Sequence, residues 1–275
     1  MQEPDPKDWK FHPDRENLIA EAHARPAQAV TAPSQVLHLA FRCSKDIRTA
    51  FIKAVSPEHS DRTIRHIVRE INGVRIKLEL HTEFMSCSFF QDLSDPDVTI
   101  DLLEFLNGKF PISETEILVL IRLDVVKSSS QMIKLLAGTD RLYGGKIRND
   151  IDVRSTFKPD ENGIINFVIQ AEKLTSDELG RRIQRLIEME TYRTMSLLGL
   201  PKAREVGGRL TAYEQELDDL TVSLRESKDS TQKDDEHLFN RLSSLSERNN
   251  ILASQIRYRF AASRAYFDLF QQRTT

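Results

Sequence analysis

Alternating apolar and polar positions mark β-strands across the first two thirds of the chain. In residues 74–80, for example, Val74, Ile76 and Leu78 are separated by charged side chains, which is the two-residue period of a half-buried strand. Further segments with strand character are residues 36–43, 85–90, 117–126, 147–157 and 164–170. Residues 117–126 are long and rich in β-branched residues, so we expect them to form a buried strand in the middle of a sheet.

Helical spacing of apolar residues separates these strands. It predicts helices over residues 13–25, 61–70, 101–105 and 128–136, and from Thr175 onward. Asn72-Gly73 is typical of a turn or a helix C-cap, and Gly144-Gly145 of a break. The predicted order is therefore strands and short helices first, and helices alone afterwards.

The last third of the chain carries leucines at the three- and four-residue steps of a coiled-coil seam. The first set is Leu210, Tyr213, Leu217, Leu220 and Leu224, and the second is Leu238, Leu242, Leu245, Leu252 and Ile256, with Asn249 inside the seam. The polar residues 226–236 separate the two sets, which predicts an antiparallel hairpin. Gly199 with Pro201, and Gly207-Gly208, predict breaks in these helices.

These patterns predict an α+β fold. We expect a head domain at residues 1–174, built on a mixed or antiparallel sheet with flanking helices, and a helical stalk at residues 175–275 that forms a coiled-coil-like hairpin. The last helix reaches the final residues through Tyr266, Phe267 and Phe270 without a stop signal. We therefore expect the stalk to be incomplete at its C-terminal end.

Composition narrows the classes of function. The chain has 275 residues, 39 of them basic and 42 acidic, so a net charge of -3 argues against nucleic acid as a partner. The two cysteines, Cys43 and Cys87, supply neither a disulfide framework nor a zinc site, which favours the reducing cytoplasm. The longest apolar run, residues 117–121, is far shorter than the roughly 20 residues that span a bilayer.

Several ordered strings resemble the bacterial DUF3422 family. They are HP at residues 12–13, HARP at 23–26, TAP at 31–33, HTEF at 81–84, ETYR at 190–193, LGLPKARE at 198–205 and SRAY at 263–266. The resemblance implies an uncharacterised, membrane-anchored protein whose hydrophobic anchor is absent from this chain, and it supplies no catalytic residues. It implies a cytoplasmic location, at the cytoplasmic face of the inner membrane in a full-length form.

His81 and Glu83 are two residues apart in a predicted strand, so their side chains would share one face and could hold a metal or transfer a proton. His23 and Arg25 would complete such a pocket. A hydrogen-bonded structural pair is the simpler explanation of His81 and Glu83, and pairing with an acidic residue such as Glu83 is the simpler explanation of Arg25. The pocket hypothesis requires the four side chains to converge on one accessible cavity.

The rest of the sequence gives little indication of a catalytic or cofactor-binding site. Glu190 and Arg193 are three apart on a helix, the spacing of a structural ion pair. No phosphate-binding glycine motif, nucleophile elbow or HExxH motif occurs, so the sequence predicts no metal and leaves any cofactor unknown. We expect a non-enzymatic interaction or scaffolding protein that self-associates, or binds a protein partner, through the hairpin. The alternative is an enzyme or metal-binding protein using His23, Arg25, His81 and Glu83.

Overall fold

The computed structural model describes residues 10–16, 18–19, 26–58, 65–139, 141–147, 150–226 and 232–274. Within these residues the strands are β1 (Ser34–Arg42), β2 (His66–Ile71), β3 (Val74–Leu80), β4 (Met85–Asp92), β5 (Glu116–Val126), β6 (Tyr143–Ile147), β7 (Ile151–Pro159) and β8 (Ile165–Ala171). The helices are α1 (Lys45–Val55), α2 (Leu102–Lys109), α3 (Ser129–Leu135), α4 (Ser176–Leu197), α5 (Gly199–Glu226) and α6 (Gln232–Thr274).

The strands form one mixed sheet in the order β2-β3-β4-β1-β5-β8-β7-β6. Neighbouring strands are antiparallel except β5 and β8, which are parallel. The first strand of the chain, β1, lies between β4 and β5, and β5 occupies the middle of the sheet as its apolar sequence predicts. The α+β prediction is confirmed, with sheet first and long helices afterwards.

Side-chain caps begin the helices where polar residues precede apolar ones. Ser44, Asp101 and Ser128 each accept a hydrogen bond from a backbone N–H of the first turn of α1, α2 and α3. Thr175 and Glu178 form a reciprocal capping box at the start of α4, in which the Thr175 N–H donates to the Glu178 carboxylate at 2.9 Å. These local signals explain why the helices predicted at residues 101, 128 and 175 are found.

The chain divides into two compact units, Met1–Ile187 and Glu188–Thr275. In the first unit, α1 and α2 cover one face of strands β1 to β4, and aromatic side chains fill the space between them. The Phe51 ring lies 4.7 Å from that of Phe41 and 5.1 Å from that of Phe110, measured between centroids. The predicted domain boundary between residues 174 and 175 stays a prediction.

In the second unit, α6 runs antiparallel to α4 and α5. Residues that come later in α6 contact residues that come earlier in α4 and α5. Arg248 pairs with Glu216, Tyr266 stacks on Tyr192 and Arg273 pairs with Glu188. Leu220, Leu245 and Leu252 are buried, as their seam positions predict. The same prediction is wrong for four other leucines of the seam, which are exposed: Leu210, Leu217, Leu224 and Leu242. Asn249 is also exposed. Arg248 faces α5 instead, and its Cζ lies 5.2 Å from the centroid of the Tyr213 ring.

Three local predictions are wrong. Residues 66–71 form strand β2, not a helix, and Asn72-Gly73 is the tight hairpin turn to β3, with φ of 53° and 74°. Gly144-Gly145 lies inside strand β6, and Gly207-Gly208 lies inside α5 without interrupting it. Of the helix predicted at residues 13–25, residues 15–16 and 18–19 are helical, and positions 17 and 20–25 lie outside the described residues.

Candidate functional site

The four residues predicted to share a pocket are only partly within the described structure. His23 and Arg25 lie outside the described residues. His81 and Glu83 occupy the connection between β3 and β4, so the prediction that they lie in a strand is wrong. The His81 ring stacks on Phe84 at 4.1 Å, and its Nε2 is 3.1 Å from Ser86 Oγ. Convergence of all four on one cavity stays a prediction.

Glu190 and Arg193 contact each other within α4. The Arg193 guanidinium donates to both carboxylate oxygens of Glu190, at 2.5 and 3.1 Å, and the Glu190 side chain is almost completely buried. These hydrogen bonds raise the pKa of Arg193. The two-point geometry holds the charge of Glu190 where water does not reach it, which is a structural role.

A row of polar side chains crosses the sheet beside His81. Lys77, Ser88 and His38 are directly opposite one another on β3, β4 and β1, and all three are buried. A hydrogen bond of 2.8 Å joins His38 Nδ1 and Ser88 Oγ. Burial, with the nearby His81 and Lys77 charges, lowers the pKa of His38 to about 3. His38 is therefore neutral at physiological pH.

Lys77 is charge-compensated in this row. Its Nζ lies 3.1 Å from the Glu79 carboxylate and 3.5 Å from the amide oxygen of Gln184 in α4. A buried ammonium that loses its counter-charge is strongly destabilising. Lys77 and Glu79 therefore form a buried ion pair beside α4. Because Lys77, Ser88 and His38 each have a polar partner within the protein, this row has a structural role.

The two faces of the sheet exchange polarity between β1 and β5. On the face that carries Leu37 and Leu39, the side chains of β1 to β4 are mostly apolar, but the next strand places Arg122 opposite Leu37 and Asp124 opposite Gln35. On the other face the pattern is reversed, because His38 is followed across the sheet by Ile121. Each half of the sheet thus has one apolar and one polar face.

The polar half around β5, β8 and β7 forms the floor of a surface cavity of about 610 Å³. Arg122 and Asn166 lie side by side on the floor, with Val168 beside them. The other lining residues come from α3, from the segment after it and from β6 and β7, and they include Leu135, Leu136, Arg141, Leu142, Tyr143, Thr156, Lys158 and Asp160. A cavity of this size holds a small organic molecule.

The two acidic side chains among the described lining residues, Asp124 and Asp160, are hydrogen-bonded to other groups of the protein. Asp124 accepts a hydrogen bond of 2.7 Å from the Gln35 amide, and burial raises its pKa. Burial alone would raise the pKa of Asp160, but hydrogen bonds from the Asn166 amide and two backbone N–H groups lower it. Asp160 is therefore ionised, and its carboxylate accepts hydrogen bonds from the backbone N–H groups of the turn that it begins.

The second unit carries large apolar side chains on its surface. Leu210, Leu217 and Leu224 are 41%, 46% and 57% exposed and are spaced seven residues apart along α5. Exposed residues on α6 include Phe239, Leu242, Ile251, Tyr258 and Phe267. Three leucines at heptad spacing lie on one side of a helix, so α5 has an accessible apolar stripe besides its contacts with α6.

Comparison with known proteins supplies the family. The family described as "Protein of unknown function (DUF3422)" matches residues 10–275. The chain belongs to the DUF3422 family. Neither the curated proteins nor the solved structures contain a match.

Sequence reasoning missed the cavity in this DUF3422 chain, although a signal for it exists. Residues 117–126 are apolar apart from Arg122 and Asp124, which stand two residues apart. Charged residues with a two-residue period in an otherwise apolar central strand must share one face, and a buried charge requires a partner or a polar space. That spacing predicts a polar cavity over one side of the strand.

The described residues of this DUF3422 chain contain neither a cluster of metal ligands nor a helix suited to crossing a membrane. No group of three or more His, Cys, Asp or Glu residues there is arranged to hold a metal ion. None of the helices built from those residues combines the length and apolar character that crossing a bilayer requires.

Proposed function

We propose that this protein is a non-enzymatic interaction protein that self-associates through the hairpin of α5 and α6. The observation that supports this proposal is the heptad-spaced stripe of Leu210, Leu217 and Leu224, which stays accessible although α5 already packs on α6. The cytoplasmic location predicted from the two cysteines belongs to the same proposal.

The spacing favours a helical occupant. Leucines seven residues apart recur every two turns and match another helix with the same period, as in a coiled coil. A second copy of this chain supplies that period without a further partner, and a two-fold axis would place the same stripe on both sides of the contact. Burying each half-exposed leucine would contribute about 1 kcal/mol to such an association.

The α6 helix extends the apolar surface. Leu242 and Phe239 are 46% and 68% exposed, in the part of α6 that follows the connection from α5. Leu242 and Leu245 both belong to the predicted seam, but of these two only Leu245 is buried. A side chain that leaves the intramolecular seam is available for an intermolecular one.

Sedimentation velocity on the full chain tests this proposal. The wild type is expected to sediment as a dimer or larger species, and a Leu217→Asp, Leu242→Asp variant as a monomer, because aspartate cannot be buried without a partner. The matched control is Gln215→Asp with Gln255→Asp, which adds equal charge at exposed polar positions of the same helices and is expected to leave the assembly intact.

Far-ultraviolet circular dichroism checks that each variant retains its helices. A monomeric wild type at all accessible concentrations would contradict the proposal, as would an oligomer that is unchanged by the two leucine substitutions. Dissociation of the control variant as well would show that added charge alone, and not loss of the leucines, separates the copies.

A further inference from the structure

Arg122 is one of the side chains on the floor of the 610 Å³ cavity in the first unit. It lies on β5 in the middle of the sheet, half-buried, and its Nε is buried with no hydrogen-bond partner among the described residues. A guanidinium carries five donors and a permanent charge, so a buried donor without an acceptor is energetically unfavourable. An acceptor from outside the chain would remove that cost.

The acidic groups among the described residues do not provide this acceptor. Asp124 is hydrogen-bonded to Gln35, and the three hydrogen bonds to Asp160 come from its own turn and from Asn166. No ion pair to Arg122 is formed within the part of the chain that the structure describes. Its charge is therefore balanced only at a distance.

Neighbouring strands show what a compensated arginine looks like on the same face. Arg154, on β7, pairs with the Asp152 carboxylate at 2.8 Å and also donates to the Gly144 carbonyl. Arg154 does not line the cavity, whereas Arg122 does. The contrast places the uncompensated arginine where a ligand has access to it.

The remaining lining defines the rest of the ligand. Arg141 and Lys158 are exposed at the rim and add positive charge, so the described lining residues include three cationic and two anionic side chains. Leu135, Leu142 and Tyr143 give it an apolar wall. This combination suits a molecule with a negatively charged end and an apolar body.

We infer that this cavity binds a small organic oxyanion, a carboxylate or a phosphate monoester, whose charged oxygens pair with Arg122 while its apolar body lies against Leu135, Leu142 and Tyr143. The planar guanidinium presents two parallel N–H groups that match either oxyanion. This inference is independent of the proposed self-association, which concerns the second unit.

Calorimetric titration of the full chain tests the inference with two probes of known chemistry. Hexanoate represents the carboxylate and phenyl phosphate the phosphate monoester, and hexanol and phenol are their uncharged counterparts. At least one anion is expected to bind with a Kd of about 1 mM, as its size allows. Its uncharged counterpart is expected to bind about tenfold more weakly or not at all.

Arg122→Gln is expected to weaken binding of that anion about tenfold or more. Arg154→Gln is the matched control, since it removes one positive charge from the same face outside the cavity, and binding should change less than twofold. Which anion binds more tightly identifies the oxyanion. Should Arg122→Gln fail to fold, the exposed rim variant Arg141→Gln, Lys158→Gln is expected to weaken binding about threefold.

The inference is overturned if neither anion binds the wild type at about 10 mM. Equal binding of the anions to the wild type and to folded Arg122→Gln would overturn it as well, and so would equal loss in Arg154→Gln. If only the rim variant can be measured, unchanged binding in that variant has the same meaning.

Discussion

Gly207 and Gly208 lie in the interior of α5, where glycine is the least favourable residue except proline. Both have negative φ within a continuous helix, and a Cβ built at either position meets no atom within 4 Å. Replacing both by alanine is therefore expected to stabilise the protein, since alanine restricts the unfolded chain and introduces no clash in the folded one.

The magnitude follows from helix propensity alone, because no contact is gained or lost. Alanine is favoured over glycine by about 0.8–1.0 kcal/mol at a helix-interior position. Adjacent helix positions do not face each other, so the two substitutions together are expected to contribute about 1.5–2 kcal/mol. The reverse change at the exposed Ala203 of the same helix, Ala203→Gly, is expected to cost about 1 kcal/mol.

Urea unfolding followed by the helical circular dichroism signal measures these differences as shifts in midpoint at constant slope. A double alanine variant that is less stable than the wild type would refute the reasoning. It would show that one glycine has a left-handed conformation or a close neighbour in solution. That result would agree with the helix break that the sequence predicts at these glycines.

Gly180→Ala is expected to lower the free energy of unfolding by about 1–3 kcal/mol in the same urea experiment, because the added Cβ would lie 1.9 Å from the Gln28 carbonyl oxygen. His38 is neutral when folded and protonates when unfolded, so stability is lost as the pH falls below 6.5 toward 3. The wild type should lose about 2 kcal/mol more than His38→Asn between pH 8 and pH 5. Burial raises the pKa of Cys87, so a thiol reagent should label Cys43 first and Cys87 only on unfolding. Unchanged stability of Gly180→Ala, parallel pH profiles, or equal labelling rates would each contradict the corresponding argument.

Most strands could be predicted because their burial is decided locally. In residues 74–80 each apolar side chain alternates with a polar one, and the structure buries Val74, Ile76 and Leu78. The helix predicted around residues 66–70 is wrong because the spacing of Ile64, Ile67 and Val68 fits a helix as well as a strand. Pairing with β3 decides between them, and the Asn72-Gly73 turn that creates this pairing was the stronger signal.

The seam of the hairpin was predicted only in part, since several of its leucines are exposed. Leucine spacing identifies Leu245 and Leu252 correctly, but it places Asn249 where Arg248 lies. Arg248 faces α5 because its long aliphatic part covers the Tyr213 ring while its charge reaches Glu216. The spacing of apolar residues cannot identify an arginine as a seam residue, so it predicts the neighbouring Asn249 at that position instead.

The cavity could not be assembled from the sequence. Arg122 and Asn166 are 44 positions apart in the chain and become neighbours only through the parallel pairing of β5 with β8. Lys158 reaches the same rim from β7, which precedes β8 in the chain but lies outside it in the sheet. Strand order is a property of the whole sheet, and local patterns of apolar residues do not determine it.

The central position of β1 also constrains how the chain is made. Its apolar residues leave the ribosome before either pairing partner exists, since β4 begins at Met85 and β5 at Glu116. Strands β2, β3 and β4 are joined by short connections, so this three-stranded meander can form first and capture β1 along one edge. The other edge of β1 stays open for association with a second nascent chain until translation has passed Val126.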